Sequence, residues 1–252
     1  MNDFLNITSG RVVKDRYGRY FVSLIVQYEP EENNVHRVKG FGIDMGIMKY
    51  MTVHDGRITW AASHPWDVES KTRLPFYQYK IDCLMRVISM KVEINKKKDG
   101  NPATIYHSHN IEKLWNRVRK YYRKIHDYMD NFIKRWCHAL MIAKPEFITI
   151  ENLGISEMLE TESTTHKFHD IIQKSNWYKF RTILTYMAKA NGCEVRIANR
   201  YFPSSKICHV CGHKNKITLK DRTITCKHCG ATYDRDVNAA INLYNLKKYS
   251  IT

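Results

Sequence analysis

One pattern dictates local structure before anything else: Cys208-x2-Cys211, fourteen intervening residues, then Cys226-x2-Cys229. Two Cys-x-x-Cys turns at this spacing present four sulfurs to one tetrahedral ion, and zinc is the metal such a set selects. Gly212 and Gly230 follow the second cysteine of each pair and supply the permissive backbone of a tight turn. Four thiolates leave no open coordination position, so the expected role is structural, not catalytic. A redox dithiol is the rival reading, and the doubled knuckle argues against it. His209, His213 and His228 could in principle replace a sulfur; they read as surface residues. Residues 206–233 are therefore expected to be a small zinc ribbon, set between a strand and a final helix.

The rest of the chain is long enough for a proper core: 252 residues, 43% of them hydrophobic. "RVVKDRYGRYFVSLIVQYEP" reads as a β-hairpin with Tyr20, Val22, Leu24 and Val26 alternating on one face. After the acidic joint "EPEENN", the segment "VKGFGIDMGIMKYMTVHDGRITWAAS" predicts three consecutive strands with His54-Asp55-Gly56 as the second turn. Helices are expected over about 75–93 and 110–143, separated by the polar "NKKKDGNPAT". The second has an apolar stripe of Ile111, Leu114, Trp115, Val118, Tyr122, Ile125, Met129, Phe132, Ile133, Trp136 and Leu140 at steps of three and four. That stripe reads as core. "PEFITIENLG" predicts a short strand, and "ISEMLETESTTHKFHD" after it a mobile loop. A helix near 176–191, the strand "CEVRIANRYF", the ribbon and a helix over about 234–248 complete an α/β chain with a mixed sheet. Cys83, Cys137 and Cys193 lie in periodic segments and read as small buried hydrophobes.

Charge narrows the partners. Lys and Arg number 41 against 25 Asp and Glu, a formal charge of +16, which calls for a polyanion. No run approaches the ~20 apolar residues of a membrane span. The first residues lack a secretory pattern, which makes the sequon at Asn6 incidental. An odd count of seven cysteines fits a reducing compartment, so a cytoplasmic location is expected and no membrane partner. Arg117, Lys120 and Lys124, with Lys113, Arg119 and Arg123, form a basic helix side that suits phosphates, though a solvated face would look the same. Lys206, Arg222 and Arg235 are further candidate nucleic-acid contacts near the ribbon.

Three carboxylates stand out. In "GFGIDMGI", strand alternation puts Gly42, Asp44 and Gly46 on one face, so Asp44 projects where neighbouring side chains are missing. Glu151 ends "FITIENLG", on the same face as Phe147 and Thr149. Asp234 suits a helix cap, whereas Asp236 shares a face with Ala239, Ala240 and Leu243, which should be buried. Three such acids could hold a pair of hard divalent cations, Mg²⁺ or Mn²⁺, for phosphoryl displacement. Spacing alone does not establish that they meet.

"GIDMGIMKYMTVHDG", "ITIENLGISEML", "NRYFPSSKICHVCGHKN", "DRTITCKHCG" and "YDRDVNAAINL" resemble, in order, the signatures of the transposon-associated TnpB (OrfB) family, related to the type V CRISPR nucleases. The resemblance runs from about residue 10 to 246. It implies an RNase H-like RuvC nuclease fold interrupted by the four-cysteine zinc ribbon, with Asp44, Glu151 and Asp236 as catalytic acids binding Mg²⁺. It further implies a DNA substrate, a guide RNA, and a gating lid in the segment after Glu151. The expected domains are a hairpin over 1–36 resembling the end of a wedge domain, a RuvC-like domain of 37–205 and 234–252, and the ribbon over 206–233. Family members usually carry a further N-terminal recognition region that is not matched here, which leaves room for a second subunit or an RNA to supply recognition. An RNA- or DNA-binding regulator without cleavage is the alternative function, and a DNA-joining transposase a third.

Overall fold

The chain forms two compact units, Met1–Glu32 with Lys71–Asp130 and Asn33–Ser70 with Asn131–Thr252. The computed structural model describes residues 6–27, 38–67, 71–98, 101–154, 166–218 and 221–251.

In the first unit, β1 (Asn6–Lys14) and β2 (Tyr20–Gln27) pair antiparallel with Val12 opposite Val22. The turn closes on Gly18, at φ 81°, and on Asp15, whose carboxylate accepts the backbone N–H of Tyr17 and Arg19 at 2.8 and 2.9 Å. The expected apolar face is present but not covered: Tyr20, Val22 and Leu24 are 68%, 69% and 52% exposed. Phe21 and Ile25 of the opposite face are exposed too, because a lone two-stranded ribbon has no second layer of its own. Val26 lies outside the described side chains.

Three helices follow: α1 (Leu74–Lys98), α2 (Pro102–His107) and α3 (His109–Ile142). Ile81, Leu84 and Ile88 of α1 pack with Ile111 and Val118 of α3. Arg19 ties the hairpin to α3 by a two-pronged bond to Asp127, both distances 2.9 Å. Helix α2 begins in the stretch expected to be a polar separator; Pro102 starts it, where the missing N–H costs no hydrogen bond. Of the apolar stripe, Tyr122 departs from the expected core by being 45% exposed.

The second unit is built on a six-stranded sheet of β3 (Val38–Met45), β4 (Lys49–His54), β5 (Thr59–Ser63), β6 (Pro145–Ile150), β7 (Glu194–Ala198) and β10 (Tyr249–Ile251). The order is β10-β7-β6-β3-β4-β5. β3, β4 and β5 form an antiparallel meander, β6 and β7 run parallel to β3, and β10 is antiparallel to β7. Helices α4 (His166–Ser175), α5 (Trp177–Ala190) and α6 (Arg235–Tyr244) accompany the sheet. The helical start of α4 corrects the loop expected over 155–170; residues 155–165 lie outside the described residues, as does the acidic joint 29–34.

Strand alternation divides the core. Phe41, Ile43, Val53, Ile148 and Ile150 are buried. Tyr50 packs edge-on against Phe132 of the last turns of α3 and Phe180 of α5, at 4.9 and 5.9 Å between centroids. The other face carries Gly40, Gly42 and Phe147 and receives α6, through Phe147 and His54 against Tyr244 at 5.6 and 5.3 Å. Cys137 and Cys193 are buried as expected, while Cys83 is only partly so.

Candidate active site

The parallel register of β3 and β6 sets Ile43 beside Ile150. The next residue on each strand therefore projects at the same level from the face that α6 covers: Asp44 on one, Glu151 just past the end of the other. The third carboxylate arrives with α6. Helix α6 lies almost in backbone contact with β3, since a Cβ on Gly42 would stand 2.2 Å from the Ala240 carbonyl oxygen and 2.3 Å from the Tyr244 nitrogen. Ala239, Ala240 and Leu243 are buried along the helix. This approach turns the first helical turn, with Asp236, towards the sheet.

Asp234 is the N-cap: its carboxylate accepts the backbone N–H groups of Asp236 and Val237 at 2.9 and 3.0 Å. Asp236 is bound by two arginines. Nη1 of Arg222 donates to Oδ2 at 3.4 Å, and Nε and Nη2 of Arg235 donate to Oδ1 at 3.2 Å each. Both arginines, expected as nucleic-acid contacts, are thus turned onto a carboxylate.

Charge accumulates here. Burial, then repulsion from Glu151 and Asp236, holds the Asp44 carboxyl well above the ordinary carboxylate range. Burial also raises Glu151, and Asp236 adds to it, against a hydrogen bond from Ser204 that lowers it. Such crowding favours either protonation or a cation among the oxygens. An all-oxygen donor set suits hard divalent ions. Among the described residues, the cysteine cluster is the one set of three or more possible ligands whose donor atoms all lie within 4.8 Å of each other; the acids are spaced more widely.

The sequence reading missed how Glu151 and the ribbon are held. The Ser204 hydroxyl donates to Oε1 of Glu151. The Ser204 carbonyl in turn accepts from Nδ2 of Asn238 at 3.3 Å and of Asn242 at 2.7 Å. Both amides also reach the Ile207 carbonyl, at 2.7 and 2.6 Å, and Asn238 accepts from the backbone N–H of His209 at 2.9 Å. One face of α6 thereby grips residues 204–209, which lead from Glu151's partner into the first cysteine pair. The available signal was Asn238 and Asn242, four apart on the helix that also carries the buried Ala239, Ala240 and Leu243. His209 is correspondingly partly buried and bonded to Asn238, not a plain surface residue, whereas His213 and His228 are exposed and stacked 5.5 Å apart.

Cys208, Cys211, Cys226 and Cys229 converge, with Sγ atoms of Cys208 and Cys229 3.8 Å apart and those of Cys211 and Cys226 3.7 Å apart. An ion with bonds of ~2.3 Å at the centre of a regular tetrahedron spaces its sulfurs about 3.8 Å apart. Gly212 and Gly230 both sit at φ 74°. Backbone N–H groups of Cys229 and His228 hold the Cys226 thiol below its ordinary value. The short pair β8 (Thr223–Thr225) and β9 (Thr232–Asp234) packs Ile224 and Tyr233 behind the sulfurs and leads directly into α6.

The remaining basic candidates lie elsewhere. Arg117, Lys120 and Lys124 are exposed on α3 in the first unit, Lys124 with its ammonium 5.2 Å from the Tyr77 ring centre, and Lys206 is exposed beside the ribbon. No described helix is long and apolar enough to cross a membrane.

Comparison with known proteins bears on the same region. The family model described as "Cas12f1-like, TNB domain" matches residues 177–243. A protein named "Putative RNA-guided DNA endonuclease" from Streptomyces pristinaespiralis is 29% identical over 239 residues, which is 94% of this chain and 52% of the relative. TnpB-like protein L79 of Acanthamoeba polyphaga mimivirus is 26% identical over 227 residues, 89% of this chain and 40% of the relative. The chain thus spans about half, or less, of these curated relatives. In fold it is similar to the protein in "Cryo-EM structure of CRISPR-Cas12f Ternary Complex", with a TM-score of 0.57 at 18% identity over 93% of this chain and 44% of that one. Together with the ordered motifs of the sequence, these matches support a protein of the TnpB/OrfB type.

Proposed function

We propose that this chain is the catalytic part of a divalent-metal-dependent DNA endonuclease guided by RNA. The observation that carries the reading is the approach of Asp44, Glu151 and Asp236, from two adjacent strands and the helix pressed on them, close enough that burial and the other two carboxylates raise Asp44 despite Arg235. The meander followed by parallel strands supports an RNase H-like, RuvC-type domain of residues 37–205 and 234–252. The sulfur spacing supports structural zinc on Cys208, Cys211, Cys226 and Cys229, with 206–233 as the ribbon. Residues 1–36 are assigned to the end of a wedge domain.

Mg²⁺ or Mn²⁺ held by the three acids would supply Lewis-acid stabilisation of the phosphoryl oxygens and an activated water. The chain's own contribution is positional. Register fixes Asp44 beside Glu151, Ser204 orients the Glu151 carboxylate, and the Asp234 cap fixes the turn that carries Asp236. Arg222 and Arg235 hold Asp236 by ion pairs. The +16 charge supports nucleic-acid affinity. Relatives named as RNA-guided endonucleases, and fold neighbours solved with guide RNA and target DNA, support the guided mode.

The test is to sequence RNA that copurifies with the chain and to challenge the complex with DNA complementary to it. A discrete RNA species and Mg²⁺-dependent cuts at the complementary site are expected. If RNA is retained and neither single- nor double-stranded DNA is cut with any divalent metal, the chain is a nucleic-acid-binding regulator instead.

A further inference from the structure

Residues 204–209 join the two places where candidate metal ligands gather, and they lie outside every helix and strand. Their conformation is held from outside. The carbonyls of Ser204, Ser205 and Ile207 all accept from Nδ2 of Asn238, at 3.3, 3.2 and 2.7 Å, and Asn242 reaches the first and last as well. Asn238 is fully buried and Ser204 nearly so, which shields these bonds from water. At the other end, the Cys208 N–H donates to the His213 carbonyl at 2.9 Å and closes the first cysteine turn. The Asn215 N–H donates to the Lys206 carbonyl at 2.8 Å, and its Nδ2 reaches Sγ of Cys226 at 3.7 Å. A continuous series of contacts thus runs from the cysteines, through Asn215 and residues 206–204, to the hydroxyl that donates to Glu151.

We infer that occupancy of the cysteine site sets the metal affinity of the acid site, with Ser204, Asn238 and Asn242 as the positioning residues; the inference rests on the metal-dependent nuclease reading above. Small zinc-bound units owe much of their folding to the ion. Without it the turn around Cys208 loses its closure, and residues 204–209 keep only their anchors on α6. The Ser204 hydroxyl then no longer holds Glu151 in one orientation, and a cation arriving at the acids must order that carboxylate itself. Partners that orient a metal ligand are worth about 10- to 100-fold in affinity. Linkage makes the effect mutual: a cation on the acids tightens zinc binding at the cysteines by the same factor. A second connection also exists, because β9 runs directly into the helical turn that carries Asp236.

The test is a double-mutant cycle on the full chain, read by Mn²⁺ calorimetry without chelator, with zinc content followed by atomic absorption and folding by circular dichroism. Cys226→Ser should empty the cysteine site; Cys229→Ser, at an exposed cysteine, replaces it if the first variant does not fold. Zinc loss and Ser204→Ala should each weaken Mn²⁺ binding about tenfold. Together they should still cost only about tenfold, because both break the same connection. Asn242→Ala, at a partly exposed position, should give a smaller loss with the zinc content whole. In the reverse direction, saturating Mg²⁺ should raise zinc affinity about tenfold, measured by competition with a colorimetric chelator, and should no longer do so in Ser204→Ala. A hundredfold loss in the double variant would route the effect through β9 and overturn the assignment. The two readings fail separately. Mn²⁺ bound equally well with and without zinc keeps the acids as metal ligands and removes the coupling, whereas a zinc-loaded chain that binds no Mn²⁺ removes both.

Discussion

Replacing Gly42 by alanine should pull the acid cluster apart without touching any of its members. The new Cβ would stand 2.2 Å from the Ala240 oxygen and 2.3 Å from the Tyr244 nitrogen, and both are backbone atoms of α6 that no rotamer change can move aside. Ordinary contact begins near 3.4 Å, so the helix must retreat by about 1.2 Å. Overpacking of this kind costs about 1–3 kcal/mol of stability. Asp236 rides on the same helix, and a displacement of about 1 Å at a reacting centre can cost on the order of 10²-fold in rate. The expected result is a lower urea midpoint, weakened Mn²⁺ binding by calorimetry, and cleavage reduced about a hundredfold. Gly46→Ala is the control: its Cβ meets a single carbonyl, that of Lys49, at 3.0 Å, and a small effect is expected. Full stability and metal affinity in Gly42→Ala would refute the close-approach argument.

Three further outcomes are expected. Ser204→Ala removes the hydroxyl that donates to Glu151 and should lower Mn²⁺ affinity about 10- to 100-fold with the melting temperature little changed; equal affinity would remove Ser204 from the site. Chelating zinc, or Cys226→Ser, should expose residues 206–233 to hydrogen exchange, because a tetrathiolate site contributes roughly 10–16 kcal/mol of apparent binding energy in small domains. A metal content of zero with unchanged protection would contradict it. Finally, His64 is buried with Nε2 2.9 Å from the Ser175 hydroxyl, and burial holds it down to about 4, against Asp67, which favours the charged form. The unfolded chain then takes up a proton, near the ordinary pKa of about 6.5, that the native ring refuses, so this stability is complete above that value and is lost as pH falls towards 4. Native stability should drop by about 2 kcal/mol from this group between pH 7 and pH 5, and His64→Gln should flatten the decline; identical pH profiles would refute it.

What the sequence disclosed depended on how local the determinant was. Period-two alternation exposed β3 and the face of Asp44, and the cysteine spacing exposed the convergence of four sulfurs, because both are decided within a few residues. The cap at Asp234 was legible for the same reason. The grip of Asn238 and Asn242 on residues 204–207 was not, since it joins a helix to a loop more than thirty positions away. Nor did alternation in the hairpin reveal that Tyr20 and Val22 lack cover, because a strand pattern says which residues share a face and nothing of what lies on it. The edge strand β10 and helix α2 escaped for a different reason: each is short, and tertiary pairing or a single Pro102 start decides it rather than a long periodic pattern.

The most direct measurement is the single-turnover rate of DNA cleavage in Mg²⁺ by the chain and by Asp44→Ala, Glu151→Ala and Asp236→Ala, with folding followed by circular dichroism. The account predicts metal-dependent cutting that each substitution abolishes while the fold and zinc content stay intact. Cleavage that persists in any one of the three folded variants would contradict it.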